Sequence, residues 1–348
     1  MVGTVVLKIA YGYTAEAHKE DVLISMVGDA MDKFARSAVP GAFMVDLLPF
    51  LRYLPDWVPG TAWKRTARQW HSELNATADV PYNFVKHQMA EGRHETSFLA
   101  RLIEAEDSDP ETIDTNKWAA MSLYAAGADT TVSAIASFYL AMAIYPEVQK
   151  RAQEEIDRVV GTDRLPTLDD REKLPYVDAV VKETLRWHPV APMGLPHQST
   201  EDDTLNGYFI PKGSMVFANV YHFTHDPAVH HQPAEFRPER FLSKDPEPDP
   251  HKFVFGFGRR VCPGNILADR TLFLTVAQSL AVFDIGGGSG SGSKGLKPEF
   301  QPGVVSHPAP FKTSVKPRSA SHEILIKKLE DLYPWKQSDG RVLERMSG

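Results

Sequence analysis

Hydrophobic residues recur at helical spacing along most of the chain. Apolar side chains three and four residues apart predict helices over residues 18–38, 61–92, 117–145, 145–161 and a segment that follows residue 263. Pro81 lies inside the second of these segments, where a proline breaks or kinks a helix. Between residues 189 and 220, Asn206-Gly207 and Lys212-Gly213 predict turns that join short strands. The pattern therefore predicts mostly helices with a few short strands.

Residues 117–145 form the longest apolar run, and a membrane span is one interpretation of it. Asp129 lies near the middle of this run and would cost roughly 2.5–3.5 kcal/mol inside a bilayer. We therefore interpret the run as a buried core helix. The first 21 residues hold a short apolar patch interrupted by Lys8, which predicts neither a transmembrane span nor a signal peptide.

The composition is that of a globular protein with a large core. The 348 residues are 43% hydrophobic and 24% charged, and the length suggests about two domains. The net charge of −7 argues against a nucleic-acid partner. A single cysteine excludes a disulfide framework and suits a reducing compartment, so we expect an intracellular protein.

The single cysteine, Cys262, lies in the glycine-rich stretch FVFGFGRRVCPGNILADR, residues 253–270. Composition alone favours a small buried hydrophobic side chain. The neighbouring glycines, however, let a backbone approach a flat ligand closely. Pro263 suits the first turn of the helix that follows, so we expect Cys262 at a helix N-terminus that favours the thiolate. With Arg259 and Arg260 beside it, this thiolate suits a metal bound in an anionic macrocycle.

Residues 255–264, FGFGRRVCPG, resemble the haem-binding signature of the cytochrome P450 family, F-x-x-G-x-R-x-C-x-G. The five fixed places hold Phe255, Gly258, Arg260, Cys262 and Gly264. The resemblance implies that these residues bind haem b, with Cys262 as the axial thiolate ligand of the iron and Arg260 paired with a haem propionate. It also implies the fold of that family, which is mainly α with small β sheets.

AGADTT, residues 126–131, lies within the 117–145 helix. Small residues at a helix contact are the simplest interpretation. Gly127 weakens the helix locally, and Thr130 can donate its hydroxyl to a backbone carbonyl one turn back, which together could open a groove over the haem. The family carries an acid–alcohol pair in its oxygen-activating helix. By that resemblance, Asp129 and Thr130 relay protons to dioxygen, and Gly127 belongs to the cofactor site.

Glu183 and Arg186 lie three residues apart on one helical face, in the sequence ETLR. Any exposed helix can carry such a pair. ETLR resembles the family's E-x-x-R motif, and RPERF, residues 237–241, follows about fifty residues later, as the family pattern expects. The resemblance implies a buried network of Glu183, Arg186 and Arg240, to which we assign folding and haem retention.

His197, in the segment GLPHQ, resembles a second haem-propionate partner of the family. Four more histidines lie close together: His222, His225, His230 and His231. Zinc binding is one interpretation of these, but no cysteine partner or H-E-x-x-H arrangement accompanies them. We interpret their segment as an aromatic-rich connector, which is what the matching family segment is.

Residues 286–295, GGGSGSGSKG, formally contain a dinucleotide-binding G-x-G-x-x-G pattern. No helix is predicted to start there, so we interpret the segment as a flexible linker. We predict a catalytic domain over residues 1–318 that contains this linker, and a C-terminal tail over residues 319–348 with a short amphipathic helix.

The resemblance covers only the later part of the family's fold. Eukaryotic members usually begin with a membrane anchor, first strands and several early helices, and this chain shows no counterpart to them. We therefore expect an N-terminally truncated member, similar to fungal proteins of secondary metabolism. The family is usually held on the endoplasmic reticulum membrane, and we find no anchor here.

The function that the resemblance implies is that of a haem-thiolate monooxygenase. Such an enzyme inserts one oxygen atom from O2 into an apolar organic substrate, with electrons from NADPH through a flavoprotein reductase. Lys252 and Arg259 would then form a docking face for the reductase, or simply a solvated basic surface. Two alternatives are a non-catalytic haem-binding remnant and a haem enzyme driven by peroxide.

Overall fold

A computed structural model describes residues 2–39, 41–105, 109–287 and 296–347. The α-helices are α1 (Val2–Tyr11), α2 (Val22–Ser37), α3 (Met44–Leu47), α4 (Trp63–Ala90), α5 (Phe98–Glu104), α6 (Pro110–Ile144), α7 (Pro146–Val159), α8 (Pro175–Trp187), α9 (Val220–His225), α10 (His251–Val254), α11 (Asn265–Val282), α12 (Ala320–Leu332) and α13 (Gly340–Ser347). Short 3-10 helices cover Pro49–Tyr53, Leu168–Lys173, Pro238–Phe241 and Gly258–Arg260.

The strands are β1 (His197–Gln198), β2 (Asp203–Leu205), β3 (Tyr208–Ile210), β4 (Met215–Val216), β5 (Phe283–Gly287) and β6 (Thr313–Pro317). Within the described ranges they pair antiparallel in twos: β1 with β4, β2 with β3, and β5 with β6. The predicted fold class, mainly α with small β sheets, is confirmed.

The helices begin at local signals that the sequence carries. Asp21 caps α2, where its carboxylate accepts hydrogen bonds from the backbone N–H groups of Leu23 and Ile24. Of the two alternatives at Pro81, a break is wrong, because α4 continues through it. Pro81 is buried together with its neighbours on the same face of α4, and this packing offsets the hydrogen bond that proline cannot make.

The turn predicted at Asn206-Gly207 joins β2 to β3. Leu205 pairs with Tyr208 across it, and both turn residues have positive φ, 53° at Asn206 and 83° at Gly207. That combination is the type I′ geometry for which an Asn-Gly pair is favoured in two-residue hairpins.

The chain divides into two compact units, and the first comprises Met1–Thr130 with Pro334–Gly348. Its core is formed by apolar faces of α1, α2, α4, α5 and the first part of α6, to which α13 adds Leu343. The tail returns to the segment after α1 through two hydrogen bonds between Thr14 and Asp339, one of 2.8 Å to the carboxylate and one of 2.9 Å between backbones.

The second unit, Thr131–Tyr333, is built around α8. This helix packs against α7 and α11, and most of its residues are buried. Pro175 is its first residue, and the backbone N–H groups of Tyr176 and Val177 donate to the Glu155 carboxylate of α7 at 2.9–3.1 Å. A carboxylate at this end satisfies free N–H groups of the helix and complements its dipole.

Strand β5 follows α11 directly and pairs with β6. The Gln149 side chain of α7 both donates to the Ile285 carbonyl and accepts from its N–H, at 2.8 and 2.7 Å. Gly286 and Gly287, the first residues of the predicted linker, belong to β5. The rest of that linker, residues 288–295, lies outside the described residues. In the predicted tail, the amphipathic helix is α12.

Helix α6 is the one helix of the described residues that is long and apolar enough to cross a bilayer. Of its most apolar stretch, 56% is buried inside the protein. A core helix meets the same criterion of length and composition, so this finding is weak evidence for a membrane span.

Candidate functional site

The cysteine loop, residues 255–264, connects α10 to α11. It folds back on itself, because the Cys262 N–H donates to the Phe255 carbonyl at 2.8 Å. Gly256 and Gly258 adopt positive φ values of 80° and 59° inside it. Glycine is the residue that takes this backbone conformation without steric cost, which explains both positions.

Cys262 is half-buried, and the backbone beside its sulfur carries no side chain. Gly264 has an ordinary φ of −87°, so its glycine is not required by conformation. A Cβ built there would stand 3.8 Å from Cys262 Sγ. The missing side chain therefore leaves room next to the thiol, as a flat ligand bound through sulfur requires.

The helix that follows starts slightly later than expected. Gly264 is the N-cap of α11 and Asn265 its first residue, so Pro263 precedes the helix and does not lie in its first turn. Cys262 is two residues ahead of the N-cap. The ring of Pro263 fixes the φ angle of the approach to the helix, and the first turn is formed by the residues that follow.

Arg259 and Arg260 are exposed, and their side chains make no hydrogen bond or ion pair with any residue that the structure describes. Two unpaired guanidinium groups next to a thiol are available for anionic groups of a ligand. His197 is also exposed, in β1 opposite Val216, and no side-chain bond joins it to the cysteine loop within the described ranges.

Glu183, Arg186 and Arg240 are brought together in the core of the second unit, with exposed fractions of 0%, 0% and 5%. Arg186 donates to both oxygens of Glu183 at 2.7 and 2.8 Å, and Arg240 Nε lies 3.0 Å from the same carboxylate. The other donors of Arg186 reach three backbone carbonyls, those of Thr224, Pro233 and Glu235. All five N–H donors of this buried guanidinium are satisfied.

Glu247 completes this network, and sequence analysis missed it. Arg240 Nη1 donates to both of its oxygens at 2.8 Å, and His230 Nδ1 lies 2.7 Å from one of them. Burial alone would raise the pKa of Glu247, but the bonds from His230 and Arg240 hold it below its ordinary value. Two carboxylates thus balance two buried guanidinium groups. No local motif marks Glu247, because its partners are set by the tertiary fold.

A second charged group that sequence analysis missed lies at the two ends of the cysteine loop. His251, in the helix before the loop, places Nε2 3.0 Å from the Asp269 carboxylate in the helix after it. The other ring nitrogen, Nδ1, lies 2.6 Å from Asp249. These residues stand outside the five fixed places of the signature, so the motif itself gives no sign of them.

Gly127, Asp129 and Thr130 lie on α6 in the first unit. Thr130 donates its hydroxyl to the Ala126 carbonyl one turn back, at 2.6 Å, which is the bond that the sequence predicts. α6 remains continuous through this region. A Cβ at Gly127 would meet both methyl groups of Val6 at 3.2 Å, so close packing of α1 is a sufficient reason for glycine there.

The residues of the second unit fit a haem. A thiol on a folded loop, a bare backbone beside its sulfur and two unpaired guanidinium groups are what an iron porphyrin with propionates requires. Apolar side chains of Phe257, Val261, Ile266 and Leu267 are exposed on the loop and on the first turn of α11. Fold and loop together define a haem-thiolate protein.

The chain belongs to the cytochrome P450 family. The family model described as Cytochrome P450 matches residues 2–315. Members of this family are haem-thiolate proteins with haem b as the cofactor. The family membership that the cysteine signature predicts is thus confirmed.

Curated fungal proteins are similar to this chain over nearly its whole length. Cytochrome P450 monooxygenase claR of Ampulloclitocybe clavipes is 48% identical over 98% of this chain and 64% of its own length. Cytochrome P450 monooxygenase 208 of Postia placenta is 50% identical over 93% of this chain and 64% of its own length. Cytochrome P450 monooxygenase ppsD of Aspergillus oryzae is 45% identical over 99% and 67% respectively. The chain thus spans about two thirds of the length of these relatives.

Proposed function

We propose that this chain carries the haem-binding and oxygen-activating part of a monooxygenase. The reaction is the insertion of one oxygen atom from O2 into an apolar organic substrate. Bound haem supplies the redox centre at which O2 is activated. The observation that carries the proposal is the cysteine loop, whose fold presents Cys262 Sγ beside a bare glycine and two unpaired arginines.

Each loop residue has a role in holding the cofactor. Cys262 is the axial ligand, Gly264 keeps the backbone beside the sulfur free of a side chain, and Gly258 provides a positive-φ position in the loop. Arg260 and His197 are donors for the propionates, a role supported by exposed side chains that make no hydrogen bond or ion pair with any other described residue. Phe255 accepts the Cys262 N–H with its carbonyl and so fixes the approach of the cysteine.

Asp129 and Thr130 deliver protons to dioxygen during its reduction. The Thr130 hydroxyl donates to the Ala126 carbonyl, and this bond fixes its orientation. The lone pairs of the Thr130 oxygen can then accept a hydrogen bond from a proton donor. Gly127 precedes this pair by less than one turn. We include Gly127 in the cofactor site because it lies on the same stretch of α6, and the space beside it is filled by Val6.

Electrons reach the haem from NADPH through a flavoprotein reductase, as in the family. Lys252 and Arg259 are exposed cations on either side of the loop's first residues and suit an acidic docking partner. Charge reversal at Lys252 is then expected to slow reductase-driven turnover at low salt. Unchanged turnover would remove the docking role. Association with the endoplasmic reticulum membrane, typical of the family, belongs to the same proposal.

The experiment that tests the proposal is the reduced, carbon-monoxide difference spectrum of the chain supplied with haem. We expect the strongly red-shifted Soret band of a thiolate ligand. Cys262→Ser removes the single thiol of the chain, so the band should be lost while circular dichroism stays unchanged. A wild-type spectrum without the thiolate band, or the same band in Cys262→Ser, contradicts the proposal.

A further inference from the structure

The His251 cluster closes the base of the cysteine loop. We define it as the three carboxylates Asp178, Asp249 and Asp269 and the three cationic side chains Arg171, Lys182 and His251. His251 is the first residue of α10 and Asp269 lies in the second turn of α11. Their contact of 3.0 Å therefore joins the chain before the loop to the chain after it.

Asp269 is itself held from the other side. Arg171 donates two parallel bonds to its carboxylate, at 2.5 and 2.9 Å, and a third from Nε to Asp178 at 2.8 Å. The guanidinium also lies 4.9 Å from the centre of the Phe273 ring on α11. A bidentate arginine fixes the direction of a carboxylate as well as its distance. Asp269 is thus a rigid acceptor for His251.

The two contacts of His251 define its protonation state. Both ring nitrogens face carboxylates, Nδ1 toward Asp249 at 2.6 Å and Nε2 toward Asp269 at 3.0 Å. A neutral imidazole has one N–H and cannot donate to both, whereas the imidazolium can. Burial would lower the pKa of His251, but its bonds to Asp249 and Asp269 raise it to about 9.

The ring of His251 reaches the loop through Phe255. The two rings are stacked, with centres 5.7 Å apart and planes at 28°. Phe255 in turn accepts the Cys262 N–H at 2.8 Å. A rigid His251 therefore limits how far Phe255, and with it the backbone of Cys262, can move.

We propose that His251 is a positioning residue that holds the cysteine loop closed, with Arg171 and Asp269 as its anchor. The proposal rests on the haem-binding function of Cys262 and adds the part of the chain that keeps the thiolate in place. The protonated cluster has three carboxylates and three cations, so it is neutral. Loss of the His251 proton breaks one of the two bonds and leaves an excess negative charge.

This arrangement predicts a pH dependence. The pKa of His251 is raised from the ordinary 6.5, so its contribution is fully present below that value and is lost as the pH rises through about 9. Lys182 of α8 faces Asp178 and Asp249, at 3.0 and 3.6 Å, and keeps its charge over this range. α9, which also packs against α10, carries the exposed His222 and the half-buried His225, and burial lowers the pKa of His225 to about 4.

The first test compares wild type with His251→Gln, His251→Arg and the control His222→Gln, an exposed histidine of the same unit. The readout is the fraction of haem with a thiolate band. Wild type and the control should lose this fraction as the pH rises through about 9. His251→Gln should have about a tenfold lower ratio of thiolate to thiolate-free haem at neutral pH and no step near 9. His251→Arg should restore the neutral-pH ratio without the step, because arginine does not titrate there.

The second test needs no haem and separates this proposal from the proposed function. Hydrogen exchange of the Cys262 amide is measured in the haem-free chain at one neutral pH. Exchange about tenfold faster in His251→Gln than in wild type and His222→Gln supports the positioning role even where no thiolate band forms. Equal exchange in all three overturns it even where wild type binds haem through sulfur. A thiolate fraction that is equal in His251→Gln and wild type at every pH overturns it as well.

Discussion

Two arginine-rich regions of the second unit have opposite surroundings. Arg186 is 0% exposed and donates all five of its N–H groups to Glu183 and to backbone carbonyls. Arg260 in the cysteine loop is exposed and donates to no side chain or carbonyl among the described residues. The N–H donors of Arg186 are all used within the protein, whereas those of Arg260 are available to bind a ligand.

The contrast separates a folding role from a binding role. A buried charge is stable only with its partners, so removal of one partner leaves an uncompensated charge in the core. An exposed, unpaired charge contributes little to stability. Substitutions in the Glu183 network should therefore act on folding, and substitutions in the loop should act on ligand binding.

The largest effect is expected from Glu183→Gln. Glutamine offers one acceptor oxygen in place of two and turns an NH2 group toward the donors of Arg186 and Arg240. Arg186 loses its anion while it remains buried, and Arg240 is left with Glu247 alone. We expect a loss of about 3–5 kcal/mol in the free energy of unfolding, measured by urea denaturation.

Glu154→Gln is the matched control for this prediction. Glu154 lies on α7, its side chain is 65% exposed, and its nearest cation, Lys150, is 3.9 Å away. This substitution should change the free energy of unfolding by less than about 0.5 kcal/mol. Equal midpoints for the two variants would show that the buried network does not carry the stability we assign to it.

Thr130→Ala tests a side chain that is neither fully buried like Arg186 nor exposed like Arg260. Thr130 is half-buried, and its hydroxyl is bonded to the backbone of its own helix. If it relays protons, O2-driven product formation per NADPH should fall on the order of a hundredfold, while peroxide-driven turnover is largely kept. Thr115→Ala, at an exposed position of the same helix, should leave both reactions unchanged. Equal losses in both reactions would argue against the relay and for a general defect of the site.

Contacts within a few residues were predictable from the sequence. Glu183 and Arg186 stand three apart on a helix, the Asn-Gly pair demands a turn, and Thr130 can reach only the carbonyl of the preceding turn. Each follows from helix or turn geometry alone. The cysteine loop was found in the same way, because its glycines, arginines and cysteine lie within one short segment.

Contacts between distant segments were not predictable. Arg171 meets Asp269 across 98 residues, and no periodicity connects them. Gly127 was assigned to the cofactor site in preference to a helix contact, because nothing in the sequence shows that Val6 packs against it. A break at Pro81 was predicted wrongly, since the local cost of proline is visible in the sequence and the packing that offsets it is not.

Arg260→Gln tests the ligand-binding role that we assign to the exposed arginine of the cysteine loop. The haem-free chain should unfold at the same urea concentration as wild type, because the Arg260 side chain makes no hydrogen bond or ion pair with any residue that the structure describes. Haem should dissociate about tenfold faster, since one charge-assisted hydrogen bond to a propionate is removed. Arg259→Gln is the control on the same loop and should have a smaller effect on dissociation. If the two variants release haem equally fast, Arg260 has no specific propionate partner.

The smallest effect concerns His188, a buried histidine whose imidazole is neutral in the folded protein at neutral pH. Burial lowers its pKa to about 4, its ring stacks on Phe300 at 3.6 Å, and Nε2 lies 3.2 Å from the Ser306 carbonyl. As the pH falls from the ordinary histidine pKa toward about 4, His188 binds a proton in the unfolded chain but not in the folded chain. The free energy of unfolding therefore decreases. The loss is about 1 kcal/mol one pH unit below the ordinary value.

His188→Phe should remove this part of the acid dependence. Phenylalanine keeps the stacking, and the Ser306 carbonyl retains its bond from the Ser133 hydroxyl at 2.5 Å, so stability at neutral pH should change little. His225, whose pKa is also lowered to about 4 by burial, still contributes to the slope. Urea midpoints measured over this acid range should therefore fall less steeply in the variant than in wild type. Parallel slopes would mean that His188 binds its proton equally well in the folded and the unfolded chain, so that burial does not lower its pKa.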